Sequence, residues 1–447
     1  MALENAVIKG IFDEILAQPD YSNDYKLAIE IITPEHAIRI DDIDFCTYDV
    51  DSATRYGPII MLGCRIPAGT YTQGVYPFRD KLKVTLYRTV KVRSNDITFG
   101  KTYQSTYTAT LATNDDVNMT LRNRPPKSQG DLDNAAFLDI VFQLQEPNVE
   151  RARLTHVGTI MRDVTLETVL RIMMAPELIG NTSTQALKGD SYQGVKGVDI
   201  TPITNSQKHE YVLIPPDTLQ IDLPDILQRD YGLYSTGVGV FFERGQWYIY
   251  PLIDTKQFGK KERTLTLYSL SPTEISSAEK TYIIKGSGIH AITSNGIDLI
   301  DETESFMQNS GNGLRYYKTT ALFNGMVTGE GNKMIVDKKS NFKETVIRER
   351  ENKMNNAKFI DGMWTDNPYP ALSKLSRGMA RVIKCVWESC NPEKLYPGMP
   401  CRVLYISDDQ VKTLTGVIFA YVVSYVKSSS KITDTTFTPR AHILMFV

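Results

Sequence analysis

The 447-residue chain reads as a mainly β protein with a mixed α+β middle. Three observations predict this. In "KLKVTLYRTVKVR", residues 81–93, Leu82, Val84, Leu86, Val90 and Val92 share one face. Lys81, Lys83, Thr85, Tyr87, Lys91 and Arg93 share the other, the period of two of a half-buried antiparallel strand. Farther on, Leu166, Val169, Leu170, Met173 and Met174 follow helical spacing. The last third returns to strand composition and finishes on "AHILMFV", which predicts a terminus built into a sheet.

Taken in order, a short amphipathic helix opens the chain. The strand at 81–93 is followed by "TYQSTYTATL" and "VNMTL" around the turn "ATNDD", then a polar loop at 123–134 and the strand "FLDIVFQLQ". Strands joined by turns with little helix between them predict a barrel or sandwich. In the middle, Asp163 is the expected N-cap of the helix carrying Leu166 to Met174, and Pro176 ends it. "GNTSTQALKGDSYQGVKG" is expected to be a mobile loop. Asp222 is placed to cap a helix bearing Leu223, Ile226, Leu227 and Tyr231, with Gly232 as its C′ stop. "VGVFF" and "WYIYPL" flank the turn "ERGQ". That is a hairpin whose aromatic face needs another surface to cover it. Beyond it come "RTLTLYSL" and "KTYIIKG", a charged stretch at 338–358 expected to be an exposed arm or helix, and the strands "MARVIKCVW", "PCRVLYI" and "TGVIFAYVVSYV".

Composition narrows the function classes. At 42% hydrophobic and 23% charged residues the chain is of ordinary folded type, and its length implies two to four domains. A formal charge of −2 supplies no net basic field for nucleic acid or anionic lipid. The start lacks a basic n-region, and Val417–Val426, the longest apolar run, is too short for a helical span. A protein made in a cytosol, with no membrane partner, is expected.

The usual chemical constellations fail on spacing. "GDSYQG" around Ser191 is not a nucleophile elbow, and "HEYVL" at His209 has Leu213 where a zincin needs its second histidine. "KGSGIHA" and "GEGNK" lack a phosphate loop's lysine–hydroxyl pair and read as hairpin tips. The five histidines are scattered, and Cys385, Cys390 and Cys401 read as buried thiols. Asp41, Asp42, Asp44, Asp49 and Asp51 cluster without the spacing or glycine of a calcium loop. No catalytic, cofactor or metal residue is assigned, and a non-enzyme is expected.

Three segments carry a resemblance. "LIPPDTLQIDLPDILQRDYGLYSTGVGVFFERGQWYIYPL", residues 213–252, is similar to a segment of phage tail-hub and tail-tip proteins. The matching residues are Ile214, Pro215, Pro216, Leu219, Gly232, Tyr234, Gly237, Phe241, Phe242, Tyr248 and Tyr250. "IPAGTYTQGVYPFRDKLKVTLYR", 66–88, and "LYPGMPCRVLYI" with Pro397, Gly398, Met399 and Pro400, resemble an earlier and a later segment of the same proteins, in the same order. The family that this resemblance implies is the baseplate hub of contractile tails, similar in architecture to the base of type VI secretion spikes.

That resemblance implies two tail-tube-like antiparallel β-barrel domains plus a lateral mixed domain. Residues 1–150 are expected to form the first barrel with its N-terminal helix. The lateral α/β domain would take 151–255 and the second barrel 256–447. It implies a homotrimeric structural virion protein that joins the hexameric tail tube to the threefold central spike, with wedge proteins alongside. DNA would be only transient cargo, so lumen-facing residues are expected to be polar or charged. Assembly in the host cytoplasm and residence in the virion baseplate follow, while no lysozyme domain is visible. Other readings are a tube terminator or wedge adaptor, or a glycan-binding or carbohydrate-active tail protein using Asp44 or Asp49.

Overall fold

The computed structural model describes residues 24–54, 56–93, 97–112, 136–176, 194–254, 263–269, 281–293, 298–300, 314–316, 345–347, 380–407, 410–428 and 435–447, together with 10, 11, 13–15, 258, 367, 369, 373 and 376. The first third supplies β1 (Tyr25–Ile32), β2 (Ala37–Ile40), β3 (Ile43–Asp51), β4 (Ile59–Pro67), β5 (Leu82–Arg93), β6 (Ile97–Leu111) and β7 (Phe137–Gln145). The middle contains α1 (Pro147–Leu154), β8 (Thr159–Thr165), α2 (Leu166–Met174), β9 (Gly197–Ile200), β10 (Lys208–Ile214), α3 (Leu223–Asp230), β11 (Val238–Glu243) and β12 (Gln246–Pro251). The last part adds β13 (Thr264–Ser269), β14 (Tyr282–Lys285), β15 (Gly288–Thr293), β16 (Asp298–Ile300), β17 (Leu314–Tyr316), β18 (Thr345–Ile347), β19 (Val382–Trp387), β20 (Pro400–Ser407), β21 (Gln410–Lys427) and β22 (Phe437–Phe446).

Eight strands close a ring in the order β21-β3-β4-β7-β6-β5-β1-β22, and β22 pairs back onto β21. Every pairing in it is antiparallel. Alternate residues point inward: Leu27, Ile29 and Ile31; Cys46, Tyr48 and Val50; Ile60, Leu62, Cys64 and Ile66; Leu82, Val84 and Leu86; all are buried. An eight-stranded barrel is just wide enough for such side chains to fill it, so its inside is a packed core.

The same two strands start a second ring. β21 pairs with β20 over Gln410–Val417 and with β3 over Ala420–Tyr425, changing partners at a bulge between Ile418 and Ala420. A bulge bends a strand, and here it carries β21 from one ring to the other. The second set runs β14-β15-β13-β20-β21-β22-β19-β16. No described strand pairing closes this set; side chains bridge its two sides, the Trp387 indole donating to Thr281 at 3.2 Å and Asn391 to the Tyr282 hydroxyl at 2.9 Å. β13 lies parallel to both β15 and β20, so this ring mixes directions while the first does not.

The middle has its own core of α1, α2, α3, β9 to β12, with Val169, Leu170, Leu227, Phe242 and Trp247 at its centre. Several local expectations are corrected. Thr165, not Asp163, caps α2, accepting from the Thr168 amide at 3.3 Å. Asp163 instead lies within β8 at φ 57° and pairs with Lys208 at 2.8 Å. A 3-10 turn at Gln220–Asp222 leads into α3, so Asp222 already has helical angles and makes no capping bond. Of 338–358, the described residues Thr345–Ile347 form a strand parallel to β17 rather than a helix. Residues 117–121, 123–134, Ser191 and 329–333 fall outside the described residues.

Candidate functional site at the hairpin–barrel junction

The β11–β12 hairpin has no solvent face. Val240, Phe242, Trp247 and Ile249 point into the core of the middle region, while Phe241 belongs to the barrel core. Tyr248 packs against that barrel core, and Tyr250 against the patch formed by Val417, Phe419 and Ala420. A strand buried on both sides reads as a continuous apolar run, which is how "GVGVFF" and "WYIY" appear. The surface that the aromatic face needed is the barrel of the same chain.

The turn at its tip is Arg244–Gly245, flanked by the pair Glu243↔Gln246. Both turn residues have positive φ, 53° and 83°, as a two-residue type I′ turn requires. For arginine this conformation costs on the order of 1 kcal/mol. The guanidinium offsets it by donating to the carbonyls of Pro392 at 2.6 Å, Glu393 at 2.8 Å and Leu395 at 3.3 Å.

Around that tip lie two acids and two bases. Glu243 is fully buried and accepts from the Tyr48 hydroxyl at 3.1 Å and the Tyr421 hydroxyl at 2.9 Å. Arg244 Nη2 lies 3.1 Å from Glu243 Oε1, and its Nε lies 3.5 Å from Glu393 Oε2. Arg88, from β5 of the barrel, reaches Glu393 at 3.1 Å with both side chains nearly fully buried. Burial pushes Glu243 above the ordinary carboxylate range, opposed by Arg244 and the two hydroxyls. The Arg244 guanidinium is desolvated too, yet Glu243 and Glu393 hold it firmly protonated. The charges balance, as buried charges must.

Arg88 was missing from the strand pattern, although its even number places it in phase with Leu82, Val84 and Leu86. That parity was the available signal. Glu393 and Glu243 carried none, because their partners come from distant parts of the chain.

The three segments that resemble hub proteins converge here. Residues 66–88 supply Arg88, and 213–252 supply Glu243 and Arg244. From the late segment, Tyr396 stacks on Tyr248 at 5.4 Å. Gly398, at φ 79°, lies under Tyr250 so closely that an added Cβ would sit 2.5 Å from the ring. The Tyr250 hydroxyl bonds Ser52, which donates to the Phe419 carbonyl at 2.7 Å. The remaining motif residues are scaffold. Ile214 and Tyr234 are buried, and the Tyr234 hydroxyl bonds the Thr201 carbonyl. Pro216 packs onto Gly158, and Thr218 donates to the Pro215 carbonyl at 3.1 Å. Gly232 ends α3 at φ 83°, and Gly237 accepts from Leu252 at 2.9 Å.

Elsewhere the candidate residues disperse. All five cysteines are buried and none is in a disulfide, and burial lifts the Cys46 thiol to about 12. Asp44 pairs with Lys427 at 3.2 Å, and Asp51 accepts from Thr54 at 2.6 Å. Asp44 and Asp49 are five residues apart on β3, roughly 16 Å at strand rise. A glycosidase pair needs about 5–9.5 Å, so these two cannot form one. The Gly286–Ser287 turn is the β14–β15 hairpin tip.

No family model matches the chain, and no curated protein matches it significantly. Solved structures similar to it are tail, baseplate and secretion proteins. One is a tail protein from Neisseria meningitidis, 10% identical, with 94% of this chain and 96% of that one covered and a TM-score of 0.46. Another is a 43 kDa tail protein of a Shewanella oneidensis prophage, 9% identical, covering 94% and 98%, TM-score 0.47. A third is an Escherichia coli type VI secretion component, 8% identical, covering 93% and 76%, TM-score 0.38.

Proposed function

We propose that the chain is a structural protein of a phage-type tail: the trimeric baseplate hub between a hexameric tube and a threefold spike. One observation carries this reading. A single chain builds two β rings on one shared hairpin, so three chains around an axis would present six such rings and mate with either symmetry. The convergence of all three hub-like segments on the junction that fixes ring to lateral region supports it. On this reading the divisions at about 150 and 255 separate the first ring, the lateral region and the second ring, with β21 and β22 common to both rings. The partners would be the tube protein, the central spike and the wedge proteins, in the virion. Because the first barrel is filled by its own side chains, any route for DNA is the hole enclosed by three subunits, lined by polar or charged residues. The junction binds parts of the chain together and has no reacting role. Sedimentation and negative-stain imaging of the purified protein test the proposal: an open three-membered ring is expected, and a stable monomer or a six-membered ring overturns it.

A further inference from the structure

We propose that the outer face of the β8–β10 ribbon is the surface through which each copy of this chain seats on the next, which rests on the ring reading above. The ribbon is an isolated two-stranded sheet. Its inner face contributes Val212 and Ile214 to the core of the middle region. On the outer face Ile160 stands directly opposite Leu213, and Arg162 opposite Tyr211. Ile160 is 64% exposed, Leu213 56% and Tyr211 48%, and the Arg162 guanidinium lies 5.0 Å over the Tyr211 ring.

Three adjoining apolar side chains so exposed present roughly 300 Å², at the lower end of the largest patches on monomers, which are often functional. A stable interface covers about 800 Å² per partner, so this face is large enough for its apolar centre, with the polar ribbon ends as rim. The two edges differ as well. At Leu213 the free edge of β10 is closed by Tyr231, whose hydroxyl accepts from the amide at 2.7 Å and donates to the carbonyl at 3.3 Å. Among the described residues β8 pairs only with β10, and an edge strand of this kind can take a further strand. Subunits in a ring meet through unlike surfaces, and the ribbon supplies one of them.

The experiment compares the full-length protein with the double variant Ile160→Glu/Leu213→Glu and with Ile284→Glu, whose isoleucine is 48% exposed at the far β14 edge. Each is run by sedimentation equilibrium and thermal melting. The wild type and Ile284→Glu are expected to be trimers. The double variant is expected to be monomeric, with a dissociation constant raised at least a hundredfold and its folded circular dichroism spectrum retained. A double variant that stays trimeric overturns this inference and leaves the ring reading intact. A melting temperature lowered without dissociation also overturns it, because the chain's own residues then cover the face. A monomeric wild type overturns both.

Discussion

Separating Arg88 from Glu393 gives the most demanding test of the junction. Their side chains are only 3% and 6% exposed, so losing either partner strands a buried charge, typically at 3–5 kcal/mol. Arg88→Met leaves Glu393 with Arg244 at 3.5 Å, so its cost falls at the lower end, about 3 kcal/mol. Glu393→Gln removes the carboxylate with which Arg88 pairs at 3.1 Å, costing about 4 kcal/mol. The double variant removes both charges, and its cost should undershoot the sum by about 2–3 kcal/mol, the coupling of directly interacting groups. The assay is urea unfolding at one fixed protein concentration, followed by circular dichroism and by fluorescence. Trp247 sits in the middle core and Trp387 in the second ring, so coincident transitions test whether the chain unfolds as a unit. Single variants costing under about 1 kcal/mol, or a double variant that is simply additive, would refute the claim that this pair is a desolvated and mutually dependent contact.

Three further outcomes are expected. Tyr421→Phe removes a hydroxyl donating to the buried Glu243 and should cost about 1.5–3 kcal/mol in the same urea assay; a loss below about 0.5 kcal/mol would contradict the geometry. Gly416→Ala places a Cβ 1.8 Å from the Phe446 carbonyl oxygen, where the shared hairpin changes rings. A loss of at least about 3 kcal/mol or failure to fold is expected, and a wild-type melting temperature would show that the strands are less tightly apposed. Glu146 is held up to about 7, first by burial, with Asn148 and Lys196 pulling the other way. Since the folded form keeps its proton to higher pH than the unfolded one, stability from this group is present below about 4.5 and lost as pH rises to about 7. Glu146→Gln should therefore match wild type near pH 4 and exceed it by on the order of 1–2 kcal/mol at pH 8, discounted for partial exposure; equal stability at pH 8 would contradict the assignment.

What the sequence disclosed and what it hid divide along range of interaction. Period-two strands such as Leu82–Arg93 and Phe137–Gln145, the Gly232 stop and the hairpin at 238–251 follow from local rules. Pairings did not follow. β21 and β22 lie about four hundred residues from β1 and β3, yet they complete the first ring, and no local pattern says which strand a strand will meet. The α2 cap shows the competition at short range: Asp163 and Thr165 both suit the role, and Asp163 is drawn away because β8 extends through it to pair with β10.

The same distinction explains the hairpin. Residues facing one core can be exchanged for others of similar size, but Phe241 and Phe242 serve two cores at once. A register slip of one residue would exchange their places. Arg244 supplies the register lock. Its left-handed backbone is tolerable only where its guanidinium reaches the carbonyls of 392–395, and a shifted strand would leave that guanidinium buried without acceptors. The turn thus ties the alternation of the hairpin to the position of the late segment, and through Glu393 and Arg88 to the barrel wall. On the hub reading proposed above, this joint is what keeps the rings and the lateral region in fixed relation.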